Sequence, residues 1–192
     1  MAASDEAELV RMINTSVNIN DRPSAFRYPR GNGIGVQLPD IKETLKIGEG
    51  KIITQGKHIA ILNFGARLNE CKKASENLEK KGITTTIFDA RFAKPLDDKA
   101  IIELASSHEV ILTIEEGSIG GFGSHVSKLL SERGFFDKGL KFRSMFLPDR
   151  FLDQDTPEKM YKSAGLDYEG IVQKIETTLN SNIVIAKNKN LS

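Results

Sequence analysis

Residues 110–125 read Val-Ile-Leu-Thr-Ile-Glu-Glu-Gly-Ser-Ile-Gly-Gly-Phe-Gly-Ser-His. Five apolar or β-branched residues are followed by two glutamates, then by glycines at 117, 120, 121 and 123. A short apolar run bounded by glycine is a buried strand. Phe122, Val126, Leu129 and Leu130 recur at i, i+4, i+7 and i+8, the spacing of a helix with one buried face that ends near Gly134. A strand running straight into a helix is the unit of a parallel sheet, and its carboxyl end is the edge that carries ligands in such sheets. Two acidic side chains just before the helix argue against a phosphate there, although helix N-termini attract anions. The glycines then read as a tight turn that permits close contact with another domain or subunit.

The same rhythm extends on both sides. Upstream, KIITQGKHIAILNFG gives two strands around Gly56-Lys57, then a helix with Leu68, Cys71, Ser75 and Leu78 on one face and Gly82 as its stop. Strand 83–90 follows, and Pro95 with Asp97 opens a helix carrying Ile101, Leu104 and Ala105. Downstream come strand 141–147, a short helix capped by Thr156-Pro157, and a last helix with Ile171, Val172, Ile175 and Leu179. Strands alternating with helices define an α/β domain with a mostly parallel sheet over about 51–182. Before it, Ser4 reads as a hydroxyl cap for a helix burying Leu9, Met12, Ile13 and Val17. Residues 24–28 read as a short strand ended by Pro29, and 31–50 as linker. This leading piece is too small to fold alone.

Composition narrows the partners. The chain has 192 residues, 39% hydrophobic and 28% charged, with a net charge of +1. That balance is expected of a globular core and offers no basic footprint for nucleic acid. No apolar run approaches the ~20 residues that cross a bilayer. One cysteine, Cys71, excludes an internal disulfide framework, and its place on a buried helix face favours packing over reactivity. His58, His108 and His125 lack metal-ligand spacing and no serine sits in an elbow motif, so all three read as structural. Pro148-Asp149-Arg150 reads as a solvated turn.

FRYPRGNGIGV, residues 26–36, is the second notable stretch. Two arginine forks suit a phosphate or carboxylate, Pro29 holds Tyr28 extended, and the glycines allow close backbone approach. These features suit an anion site at a strand end. They equally suit a linker bend with Arg27 in a structural ion pair. Neither a Walker loop nor a full dinucleotide fingerprint is present.

Taken together, SDEAEL, RPSAFRYPRGNGIGV, FDARFAKPLD, SHEVILTIEEGSIGGFGSHV and LPDRF…AGLDYEGI resemble the 1-deoxy-D-xylulose-5-phosphate synthases of the transketolase-like thiamine-diphosphate enzymes, and look plant-type. The resemblance covers about residues 2–180. It implies a three-layer α/β domain like the C-terminal domain of transketolase at 51–182. It also implies the end of a central pyrimidine-binding domain at 1–38, followed by a linker at 39–50; the remainder at 183–192 reads as a disordered tail. The implied reaction joins pyruvate to glyceraldehyde 3-phosphate with loss of CO₂, through attack of the thiazolium ylide on pyruvate and addition of the resulting enamine to the aldehyde. Its product is a precursor of isoprenoids and thiamine. Arg30 falls on the family's contact to the acceptor phosphate. The residues that hold thiamine diphosphate and Mg²⁺, the glutamate that activates the cofactor and the histidines near the reacting carbon belong to earlier parts of the family's chain, and no Gly-Asp-Gly occurs here.

The resemblance therefore implies a fragment that is catalytically incomplete alone, from a homodimeric enzyme of the plastid stroma if plant-type and otherwise of the cytoplasm. The Gly117–Ser124 loop is expected at domain and dimer contacts. Two other readings stay open: the small subunit of a split thiamine-diphosphate enzyme, and a non-catalytic α/β assembly module.

Overall fold

A computed structural model describes residues 1–180; the tail expected at 183–192 lies outside the described residues. Helix α1 spans Glu6–Val17, and the α/β part follows as β1 Lys51–Thr54, β2 Ile59–Phe64, α2 Leu68–Glu79 and β3 Thr85–Asp89. It continues as α3 Asp98–Ser107, β4 Val110–Glu115, α4 Phe122–Glu132, β5 Lys141–Met145, α5 Pro157–Ser163 and α6 Tyr168–Asn180. The strands form one sheet in the order β1-β3-β2-β4-β5, parallel throughout except for the antiparallel edge strand β1. The expected mostly parallel α/β fold is thus the observed one.

Strands β2, β3 and β4 are buried along their whole length. Both faces of the sheet are covered, which is why β2 and β4 read as largely apolar runs, while the threonines of β3 are buried along with Ile87 and Phe88. Ile59, Ile61, Leu112 and Ile114 face α2 and α6, whereas Ala60, Leu62, Phe64 and Ile111 face α3 and α4. The chain runs from β2 through α2 to β3, then crosses by α3 on the opposite face to β4 on the far side of β2. Strand order reverses between β2 and β4, so a crevice opens outside their carboxyl ends. The helix stops are as expected. After α2, Gly82 adopts φ +77°, and the Ile83 N–H returns to the Leu78 carbonyl at 3.0 Å. Asp97 caps α3 through the Ala100 N–H at 3.0 Å, and Thr156 caps α5.

The leading piece departs from the sequence reading in three ways. Residues 24–28 make only an isolated parallel bridge, Ala2 with Arg27. The pairing cannot lengthen, because its partner turns into α1 beyond Ser4 and Pro29 has no N–H to donate. The cap of α1 is Asp5, accepting from the Glu8 N–H at 2.8 Å, while Ser4 donates its hydroxyl to Asp89 at 2.6 Å. The buried face of α1 is Ala7, Glu8, Met12 and Thr15, leaving Ile13 and Val17 exposed. Glu8 is drawn inward by Arg91, and Met12 packs with Ala3, Leu45 and Phe92. Leu45, in the expected linker, is buried and its N–H bonds Thr15 Oγ1 at 2.7 Å.

Candidate functional site

The crevice at the switch point is where the leading piece meets the sheet. Strand β2 ends at Phe64 and turns through Gly65, whose φ of +108° suits glycine alone. Strand β4 ends at Glu115. A cavity of about 150 Å³ lies between them, lined by Ala2, Arg27, Tyr28, Pro29, Glu116 and Tyr161 among others. Most of FRYP therefore sits over the carboxyl edge of the sheet.

Glu115 is almost wholly buried. Its Oε1 accepts the Gly123 N–H at 3.0 Å, and its Oε2 lies 3.6 Å from Nη2 of Arg27. The Arg27 guanidinium also rests over the Phe64 ring, 4.8 Å from its centre. A Cβ on Gly117 would come within 2.5 Å of Glu115 Oε2, and one on Gly121 would collide with the same carboxylate. Gly117 and Gly121 thus make room for a side chain of their own turn, and Gly117 also lies close to Arg27 of the leading piece.

Glu116 points the other way. Its Oε1 is 3.0 Å from Nε of Arg67, a Coulombic contact because the Nε–H is not aimed at it, and the Ala66 N–H donates to its other oxygen at 3.3 Å. Arg67 stacks on Tyr161 at 3.6 Å from the ring centre. Burial, then the bond to Glu116, pushes the Tyr161 phenol up to about 12. Each glutamate of the pair is committed to an arginine, so neither is a free acid or base.

A second buried polar cluster, unmarked by any motif, joins α1 to the sheet. Glu8 accepts from Arg91 at 2.8 Å and from Arg11 at 3.0 Å, and Arg91 is held at φ +57°. Asp89, at the end of β3, accepts from Ser4 at 2.6 Å and from Asn63 at 3.4 Å. Burial, assisted by the Glu8 charge and opposed by the Ser4 bond, pushes its carboxyl up to about 6. The one available sequence signal was an aspartate directly after Ile87-Phe88 at the end of a strand.

Arg30 is exposed and makes no hydrogen bond or ion pair among the described residues. The glycines after it do bind an anion, but an internal one. The Glu6 carboxylate accepts the N–H groups of Ile34, Gly35 and Val36 at 3.0, 2.6 and 3.0 Å. His58 accepts the Thr84 N–H at 3.0 Å, and His108 bonds the Thr86 hydroxyl at 2.7 Å. Burial pushes the Cys71 thiol up, out of reach of the thiolate. Arg150 reaches the Ser163 carbonyl at 3.3 Å.

A mostly parallel sheet of this order, covered by helices on both faces, defines a three-layer α/β domain. Residues 48–171 match the model of the transketolase C-terminal domain, and the chain belongs to that family. Among solved structures, a split-gene transketolase described as an inactive β4 tetramer superposes with a TM-score of 0.66 at 26% identity. The match covers 75% of this chain and 46% of that one, so the chain spans less than half of that relative's length. A mutant transketolase from Pichia stipitis superposes with a TM-score of 0.51 at 18% identity, over 69% of this chain and 18% of that one, a likeness of fold alone.

Proposed function

We propose that this chain is the C-terminal part of a 1-deoxy-D-xylulose-5-phosphate synthase and that its Arg30 holds the phosphate of glyceraldehyde 3-phosphate. In this reading residues 1–38 complete a central domain and 51–182 form the C-terminal domain. The observation that carries the role of Arg30 is its freedom. Arg11, Arg27, Arg67 and Arg91, on or against the leading piece, each face a carboxylate. Arg30 faces none among the described residues. An exposed guanidinium one residue after Pro29, which lines the crevice, can match a phosphate bidentately.

The described residues do not fit the cofactor. No group of three His, Cys, Asp or Glu side chains converges there as a metal site, and Glu115 and Glu116 already face arginines. Thiamine diphosphate and Mg²⁺ would be held by other parts of the enzyme. This chain's share of the work is to bind and orient the acceptor, which raises the rate by positioning rather than by bond making. The likeness to a split-gene transketolase favours a second reading, a subunit that gains its missing domains from a separate chain.

Both readings are tested by mixing this chain with a chain that carries transketolase-type cofactor-binding domains. Pyruvate and glyceraldehyde 3-phosphate should yield 1-deoxy-D-xylulose 5-phosphate with one CO₂ per turnover. Carbon transfer from a ketose phosphate without CO₂ release would replace the synthase by a transketolase. Arg30→Ala should weaken acceptor use by about 2 kcal/mol, the scale of a charged hydrogen bond. An unchanged acceptor KM and kcat would remove Arg30 from the site.

A further inference from the structure

The segment bearing Arg30 is tethered at both ends to the first six residues of the chain. On one side, Arg27 exchanges backbone bonds with Met1 and Ala3, both at 3.1 Å. On the other, three successive N–H groups converge on the carboxylate of Glu6, in the first turn of α1. The fit is close. A Cβ on Gly33 would lie 2.6 Å from the Glu6 carboxyl carbon, and Gly35 needs φ +86° to present its N–H. The bond from its own backbone N–H, joined by those from residues 34–36, holds the Glu6 carboxyl below the usual carboxylate range.

We infer that Glu6 is a positioning residue: it clamps the Gly33–Val36 backbone to α1 and thereby restricts where Arg30, next to the crevice-lining Pro29, can stand. With the clamp, the untethered stretch is residues 28–33. Without it, the next tether is Glu43, which pairs with Arg11 at 2.9 Å, and the free stretch becomes residues 28–42. Lengthening a flexible loop from 6 to 15 residues dilutes a group on it by the three-halves power of the ratio, about fourfold. Glu6 touches no substrate, so its loss should appear in acceptor affinity and leave the chemistry of pyruvate alone. The inference rests on the assignment of the acceptor phosphate to Arg30.

The first measurement is amide hydrogen exchange in the chain itself, comparing the parent with Glu6→Gln, Glu6→Ala and Gly33→Ala. Exchange at Ile34, Gly35 and Val36 should quicken by about tenfold, the weight of one net hydrogen bond, while Ala3 and Arg27 keep their protection. Gly33→Ala attacks the same contact from the other side and should reproduce the effect with Glu6 present. The second measurement is the acceptor and pyruvate KM of the assembled enzyme, with Arg30→Ala alongside. Glu6→Ala, which removes every acceptor, should raise the acceptor KM by about fourfold with kcat and pyruvate KM unchanged. Unaltered exchange in Glu6→Ala overturns the clamp. Faster exchange with an unaltered acceptor KM, while Arg30→Ala raises it, overturns the positioning role alone. An unaltered acceptor KM in Arg30→Ala overturns the phosphate assignment and the positioning role with it.

Discussion

Asp89→Asn should stabilise the protein at neutral pH and lose that advantage in acid. Asp89 closes β3 with 1% of its surface exposed, and its carboxyl rises from 3.8 to about 6. Burial is the main cause, the Glu8 charge adds to it, and the Ser4 bond and Arg91 oppose it. A folded-state value above the unfolded one means that the native protein holds the proton more tightly. Stability from this group is therefore full below pH 4 and declines as pH rises through about 6. At about 1.4 kcal/mol per pH unit, ionised Asp89 costs at most about 3 kcal/mol at pH 7. Asparagine removes the charge and keeps an oxygen to accept from Ser4, but it sets an NH2 where Oδ1 now accepts from the Asn63 amide at 3.4 Å, at a cost of about 1 kcal/mol. The net expectation is a gain of about 1–2 kcal/mol at pH 7.5 and none at pH 4. Urea unfolding of both proteins at several values between pH 4 and 8 measures it, because their difference isolates this group. A variant less stable than the parent at pH 7.5, with a difference independent of pH, would refute the burial argument.

Two further outcomes follow from the crevice. Gly121→Ala sets a Cβ against the buried Glu115 carboxylate, and overpacking there should cost about 2 kcal/mol by thermal or urea unfolding. Wild-type stability would show that the loop is looser than its contacts indicate. Glu116→Gln removes the charge bonded to the Tyr161 phenol. Its titration, followed by ultraviolet difference absorbance, should move down from about 12 toward 10, with Tyr161→Phe identifying the affected transition.

The α/β part was legible in the sequence because its signals are local. Apolar runs of strand length, helical spacing after each, and glycine or aspartate at the ends all point to the same elements, and packing has nothing to overrule. The leading piece was not legible, because its geometry is decided by distant partners. Glu8 belongs to a polar face by pattern, yet Arg91, 83 residues on, turns it inward and pushes Ile13 and Val17 into solvent. Ser4 and Asp5 are equally good caps by type, and only Asp89 explains why Ser4 is engaged elsewhere. Arg30 is the reverse case. Its chemistry was legible, but its lack of a carboxylate partner emerges only once its neighbours are placed. Both glycine-rich stretches enclose a glutamate of the chain, Glu6 in one and Glu115 in the other, and neither pairing is visible in the local sequence.

Those two enclosed carboxylates separate the roles of the arginines in FRYPR. Arg27 neutralises Glu115, whose side chain is only 4% exposed, and covers Phe64. Arg27→Ala leaves that carboxylate without its cation and uncovers the ring. Removing one partner from a fully buried pair costs about 3–5 kcal/mol. Arg27 is 42% exposed and 3.6 Å away, so solvent screening reduces the expected loss to about 1–2 kcal/mol. Arg30 is exposed, and Arg30→Ala breaks no hydrogen bond or ion pair among the described residues, so it should change stability by no more than about 0.5 kcal/mol. Denaturation of the two variants, read beside acceptor kinetics, therefore sorts structure from function. Arg27→Ala should lower the unfolding midpoint, whereas Arg30→Ala should keep the midpoint and weaken the acceptor. A drop in stability of 1 kcal/mol or more for Arg30→Ala would mean that its guanidinium has a structural partner, and the case for a phosphate contact built on its freedom would fall.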